Sequence, residues 1–157
     1  MLKAIPNSWH SSDYEVKANG EWIADLETSS WREKGEILVE GHTNELSREG
    51  LMSGSFTMES NGDLFAEANK ISAWKNTFNV RFSDDEFVLK KRSSLRSEMN
   101  LYHNNMRVGS IRREGLLSRT ALIDLPDPLP LAAKLFIFWL TLIIWRREGA
   151  AAGGGGG

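Results

Sequence analysis

The stretch LPLAAKLFIFWLTLIIWRR, from Leu129 to Arg147, constrains this chain more than any other. It is apolar on every side, and a helix of that kind has to be enclosed on every side by lipid or by protein. Its start is marked in the sequence. Asp127 is placed to cap it, Pro128 suits a first turn, and Pro130 falls early enough to be accommodated. The apolar run from Leu131 to Trp145 would be about 22 Å long at the usual helical rise. A bilayer core is about 30 Å thick and calls for about 20 apolar residues, so this run is short for a span. Lys134 interrupts it near its beginning, and Thr141, seven residues on, shares that side in a weak polar seam.

Two enclosures follow. The helix can be a tail anchor, with Arg146 and Arg147 as its positive-inside flank. Alternatively, it can be the core of a β-barrel formed by the rest of the chain. The upstream sequence favours the second. Three segments repeat there: NGEWIADL from Asn19, NGDLFAEA from Asn61 and NNMRVGSI from Asn104, with starts 42 and 43 residues apart. Asn-Gly between alternating runs is the strongest short hairpin signal, because a type I′ turn needs positive φ at both central residues.

Strands are predicted near 13–18, 21–28, 35–40, 43–48, 54–59, 63–69, 77–82, 86–91, 97–103, 106–112 and 120–125. Short strands at this spacing indicate an antiparallel barrel or sandwich. In each repeat a small residue follows the turn at the same place, Ala24, Ala66 or Gly109. The same face carries Trp22 and Leu26, Leu64 and Ala68, and Ile111. Small residues within a sheet mark the close approach of another backbone, so this face is expected to look inward. Side chains alone fill an eight-stranded barrel, whereas eleven or twelve strands leave a lumen that needs a plug. The expected fold is mostly β: a closed antiparallel barrel of about 12 strands around a central hydrophobic C-terminal helix. Its parts are an N-terminal extension over 1–12, the barrel over 13–147 with its helix over 128–147, and a low-complexity tail or linker over 148–157.

Composition narrows the function classes. The 157 residues suit one core, and a net charge of −2 argues against broad binding of nucleic acid. There is no cysteine, which removes disulfides, thiolate metal sites and a catalytic thiol. No apolar core of secretory-signal length precedes Asp13. His10, His42 and His103 lack ligand-spaced partners, and no phosphate loop, nucleophile elbow or zinc-protease motif occurs. No cofactor or metal is expected, and no enzymatic activity. Asp84-Asp85-Glu86 reads as an acidic hairpin turn.

The basic residues are more suggestive. Lys90, Lys91, Arg92 and Arg96 fall within seven positions, and Arg112, Arg113 and Arg119 flank the next crossover. Brought together, these seven would make an anion-binding surface, with arginine forks suited to phosphate. The ordinary alternative is solvated loop charge neutralised by Glu86, Glu98 and Glu114. Six tryptophans are spread along the chain. Trp31 and Trp74 occupy nearly equivalent places in the first two repeats, Trp139 is expected inside the barrel, and Trp145 at its mouth or at a membrane interface.

The strand–NG–strand repeats, the NG-x-x-h-A/G-x-h pattern (h is apolar) and the terminal segment ALIDLPDPLPLAAKLFIFWLTLIIWRR together resemble the tubby C-terminal-like superfamily. That superfamily includes tubby proteins, LURP-one-related proteins and phospholipid scramblases. The resemblance covers about Asp13 to Arg147. It implies a twelve-stranded barrel around a central helix, and a small single-domain binding module for anionic phospholipid headgroups or a protein partner. No tubby motif transfers residue by residue. The scramblase calcium segment corresponds to TALIDLPDPLP, where only Asp124 and Asp127 are acidic, too few oxygens for a hard cation. A cytoplasmic protein, at most peripheral to a membrane, is the expected setting. The alternative is a membrane-anchored protein held by 131–145.

Overall fold

The computed structural model describes residues 1–29, 31–50, 54–72, 75–93 and 96–154, with side chains through 152. Twelve antiparallel strands close into one barrel in plain meander order. They are β1 (Leu2–Pro6), β2 (Tyr14–Ala18), β3 (Glu21–Ser29), β4 (Lys34–Val39), β5 (His42–Glu49) and β6 (Ser55–Ser60), then β7 (Asp63–Lys70), β8 (Thr77–Phe82), β9 (Asp85–Ser93), β10 (Arg96–His103), β11 (Met106–Arg113) and β12 (Ala121–Asp124). A single helix, α1, runs Leu131–Gly154. Trp74, paired with Trp31 in the sequence comparison, lies outside the described residues.

The expected extension over 1–12 is corrected by the structure. Residues 2–6 form β1, which pairs β12 through Leu2↔Ile123, Lys3↔Leu122 and Ala4↔Ala121 and so closes the barrel. Proline at the end of LKAIP and the absence of clean alternation hide this strand in the sequence. Closure gives the last edge a partner and leaves no open ladder to pair with another chain.

The three repeats are visible in the backbone. Their turn residues have positive φ: Asn19 and Gly20 at 51° and 84°, Asn61 and Gly62 at 53° and 84°, Asn104 and Asn105 at 49° and 64°. The repeats share one more feature that the sequence does not announce. A few residues after each turn the pairing slips by one, leaving Ile23, Phe65 and Val108 without a cross-strand partner. A bulge of this kind reverses the facing of every residue on one side of it. Ala24, Leu26, Ala66, Ala68 and Ile111 are accordingly buried, but Trp22 and Leu64, expected on the same face, are each 56% exposed. Gly109 marks a close approach, yet the neighbour is a strand and not the helix. A Cβ there would stand 2.5 Å from the Asp124 carbonyl oxygen of β12.

The helix occupies the lumen. From Leu135 to Trp145 no residue is more than 7% exposed, so all sides of three turns are enclosed by strands. Phe138 meets Tyr14 edge-on at 5.3 Å between ring centroids, and Trp139 meets Phe56 at 5.7 Å. Thr141, fully buried, donates its hydroxyl to the Ile137 carbonyl of its own helix (3.0 Å), so it needs no gap in the wall. Among the described residues no helix is long and apolar enough to cross a membrane. The start of α1 differs from expectation. Pro130, not Asp127, supplies the first accepting carbonyl, to the Lys134 amide at 3.0 Å, because the Pro126–Leu129 segment makes a turn of its own. Helical structure also continues past Arg147 into the glycine- and alanine-rich tail.

Candidate functional site

The two ends of the barrel are built differently. At one end, five connections are tight two-residue turns: 19–20, 40–41, 61–62, 83–84 and 104–105. The longer strand-to-strand connections, after β1, β3, β5, β7 and β11, gather at the other end, while the segment 125–130 that leads into α1 lies at the tight-turn end. The helix starts at the tight-turn end and emerges at the loop end. Functional groups concentrate on loops held by a rigid scaffold, and here the scaffold holds the helix terminus among them.

A set of polar contacts fastens that terminus. Trp145 donates its indole N–H to the Ser97 carbonyl at 2.6 Å. Arg147 bonds the Glu33 carboxylate through Nε and Nη2, both at 3.0 Å, and Arg48 reaches the same carboxylate at 2.9 Å. Both guanidinium groups also lie about 6 Å over the Phe56 ring, at 6.0 Å for Arg48 and 5.7 Å for Arg147. Glu148 accepts from Lys91 at 2.9 Å and from the Asn76 amide at 3.1 Å. Sequence reasoning does not single out Glu33. Its φ of 49° places it in a left-handed turn, which aims its side chain back over the mouth.

Beside this latch lies a cavity of about 190 Å³ lined by Ser12, Tyr14, Arg113, Arg119, Leu142, Trp145 and Arg146. Three of the seven lining residues are arginines, and none is a carboxylate. Arg113 sits on the inward register of β11, its guanidinium 4.8 Å over the Trp145 ring. Arg119 is fixed by main-chain carbonyls of the facing loop, donating to Ser8 at 3.3 Å and to Trp9 and Ser11. Arg146 is held below the usual arginine pKa, chiefly by burial; the nearby Glu33 and Tyr14 work against the shift and Arg147 adds to it. A charged group desolvated in this way gains more than an exposed one from an incoming anion.

The seven basic residues singled out in the sequence do not form one surface. Strand alternation separates neighbours: on β9, Lys91 faces the mouth while Lys90 and Arg92 face outward. Lys90 lies 4.3 Å over the Tyr102 ring, and Arg92 pairs Glu98 at 3.0 Å. Arg96 is exposed at the start of β10. Arg112 is exposed on the outer wall, and its strand neighbour Arg113 turns in. Only Arg113 and Arg119 of the seven reach the cavity. Ser12, Tyr14, Leu142, Trp145 and Arg146 complete it. Arg146 carries a signal in its position next to Trp145, where the sequence reads equally well as a membrane flank.

A second, more apolar cavity of about 480 Å³ opens at the tight-turn end among Phe82, Phe87, His103, Val108 and Leu129. His103 stacks at 4.7 Å on Phe87, with its Nε2 3.6 Å from Asp85. Among the described residues no three His, Asp or Glu side chains converge as a metal site would require. Comparison with protein-family models, with curated proteins and with solved structures gives no match.

Proposed function

We propose that this chain is a small tubby-like binding module without chemistry of its own, and that its loop-end cavity takes a compact phosphate-bearing anion such as an anionic phospholipid headgroup. The observation that carries this reading is the convergence of Arg113, Arg119 and Arg146 on one cavity whose lining holds no carboxylate. Arginine forks match phosphate oxygens two at a time, and the Tyr14 and Ser12 hydroxyls add neutral donors at the rim. Trp145 offers an apolar wall for the non-phosphate part of the ligand. The twelve-stranded barrel threaded by its own helix supports the likeness to the tubby-like superfamily at the level of architecture. The tail-anchor alternative would need α1 to leave the lumen and strip the barrel of its filling.

The test is titration calorimetry with a soluble inositol trisphosphate and with inorganic phosphate. Binding of the trisphosphate is expected, weakening as salt is raised. Arg146→Met is expected to cost about tenfold or more in affinity, the contribution of one charge-assisted bond. The same change should leave stability within about 1 kcal/mol of wild type, because relief of a desolvated charge offsets the loss of its hydrogen bonding. Trisphosphate affinity that does not change in Arg146→Met and Arg113→Gln would remove the cavity from consideration.

A further inference from the structure

We propose that the loop end of the barrel docks onto an anionic lipid bilayer, with Trp9, Trp31, Leu116 and Leu117 entering the interfacial region around the arginine cavity. This rests on the headgroup reading above and says where that headgroup resides. The four side chains are 85%, 96%, 101% and 98% exposed, and all four sit on loops of the same end. Exposed apolar side chains at the tight-turn end, Met1, Trp22, Leu64 and Met106, are less exposed, at 56% to 73%, and Trp22 bonds Asp25 at 2.9 Å. Scattered surface leucines need no explanation, but large apolar groups on three separate loops of one end mark an interaction face.

The loops hold these tips outward and do not fold them onto the barrel. Leu116 and Leu117 form the point of a turn closed by the Ser118 amide on the Gly115 carbonyl at 3.2 Å, with the Glu114 amide bonded to the Thr120 carbonyl at 2.9 Å below it. Arg119, at the base of this finger, donates to the Trp9 carbonyl and so ties the Trp9 loop to it. Trp31 precedes Glu33, which the helix terminus clamps through Arg147. Fixed tips lose little freedom on insertion, and tryptophan suits the headgroup level where one edge is wet and the other apolar.

Charge selects the partner. Glu33, Glu98 and Glu148 are paired with Arg147, Arg92 and Lys91, and Glu114 with Lys3, while Glu49 is exposed at the end of β5. Arg32 and Arg96 are exposed on the same end as the cavity arginines. Apolar tips around cations fit an anionic bilayer better than a second copy of this face, which would set arginine against arginine.

The experiment is sedimentation of the full chain with vesicles of phosphatidylcholine, with and without phosphatidylserine. A variant carrying Trp9→Ala, Trp31→Ala, Leu116→Ser and Leu117→Ser is run beside the wild type, with circular dichroism and light scattering on both. Wild type is expected to sediment with the anionic vesicles. The variant, still folded because its changes touch no core, is expected to lose about tenfold or more of that partitioning. It should keep its affinity for soluble inositol trisphosphate, so the two readings fail separately. Vesicle binding unchanged in the variant overturns the docking while the cavity stands. Tip-dependent vesicle binding without trisphosphate binding keeps the docking and overturns the cavity. No wild-type vesicle binding, with or without self-association that the variant abolishes, overturns the bilayer as the occupant.

Discussion

Replacing Trp139 by alanine tests whether the terminal helix is the core of this barrel. The indole is 1% exposed, meets Phe56 edge-on at 5.7 Å and packs against Phe136 at 6.0 Å between ring centroids. Truncating a buried aromatic costs about 3–5 kcal/mol, which covers lost transfer energy and the cavity left behind. The edge-on pair accounts for about 0.5–1.5 kcal/mol of that range. The lumen wall is a continuous ladder that cannot collapse inward, so a value of about 4 kcal/mol is expected. For a chain of this length that corresponds to a fall in Tm of roughly 8–16 °C. It would also remove a large share of a total stability of about 5–15 kcal/mol. The assay is urea unfolding followed by far-ultraviolet circular dichroism, in which the midpoint should drop with an unchanged slope. Trp139→Phe, expected to cost about 1.5 kcal/mol, keeps the measurement possible if the alanine variant does not fold. Trp31→Ala, at a fully exposed position, should change stability by no more than about 0.5 kcal/mol. A loss below about 1 kcal/mol for Trp139→Ala would refute the reasoning, since only an indole outside a packed core is removed at so small a cost.

Three further outcomes follow from the geometry. Glu33→Gln keeps the shape but leaves Arg147 and Arg48 without their shared carboxylate, and should cost about 1–3 kcal/mol in the same unfolding assay, with faster amide exchange at the helix terminus than in the mid-barrel strands. Gly109→Ala forces a Cβ to within 2.5 Å of the Asp124 carbonyl oxygen and 3.0 Å of Leu125, so β11 and β12 must separate, at about 1–3 kcal/mol. The same substitution at Gly149, where nothing lies within 4 Å, should be neutral or slightly stabilising in a helix.

Much of the barrel is legible in the chain because its determinants are local. Asn19-Gly20, Asn61-Gly62 and Asn104-Asn105 prescribe positive φ in adjacent residues, and the structure has it at each. The alternation of Phe78, Val80 and Phe82 reads directly as a face: Phe78 and Val80 are buried and Phe82 packs half-buried against the core. Trp22 and Leu64 face the other way from their expected side because a bulge is a property of two strands in register. One strand's sequence shows alternation but not the residue its partner omits. β1 escapes sequence reasoning for a related reason. LKAIP is too short and too irregular to declare itself, and it is a strand because β12 and β2 leave a vacancy between them.

Short strands with tight turns, and a terminal helix whose apolar run is short for a bilayer span, follow from the order of residues alone. Turn dihedrals, period-two patterning and the length of the apolar run are set within a few residues, where chain connectivity dictates the geometry. Which arginines meet is a matter of long-range packing. Arg113, Arg119 and Arg146 come from a strand end, a loop and the last buried turn of the helix. They share a cavity only because the barrel closes in one register and the helix threads it to one depth. Lys90 and Arg112, equally basic and adjacent in sequence to inward-facing partners, are sent to the outer wall by the alternation of their strands. The apolar loop tips owe their common direction to the same closure, which places the longer strand-to-strand loops at the end where the helix emerges.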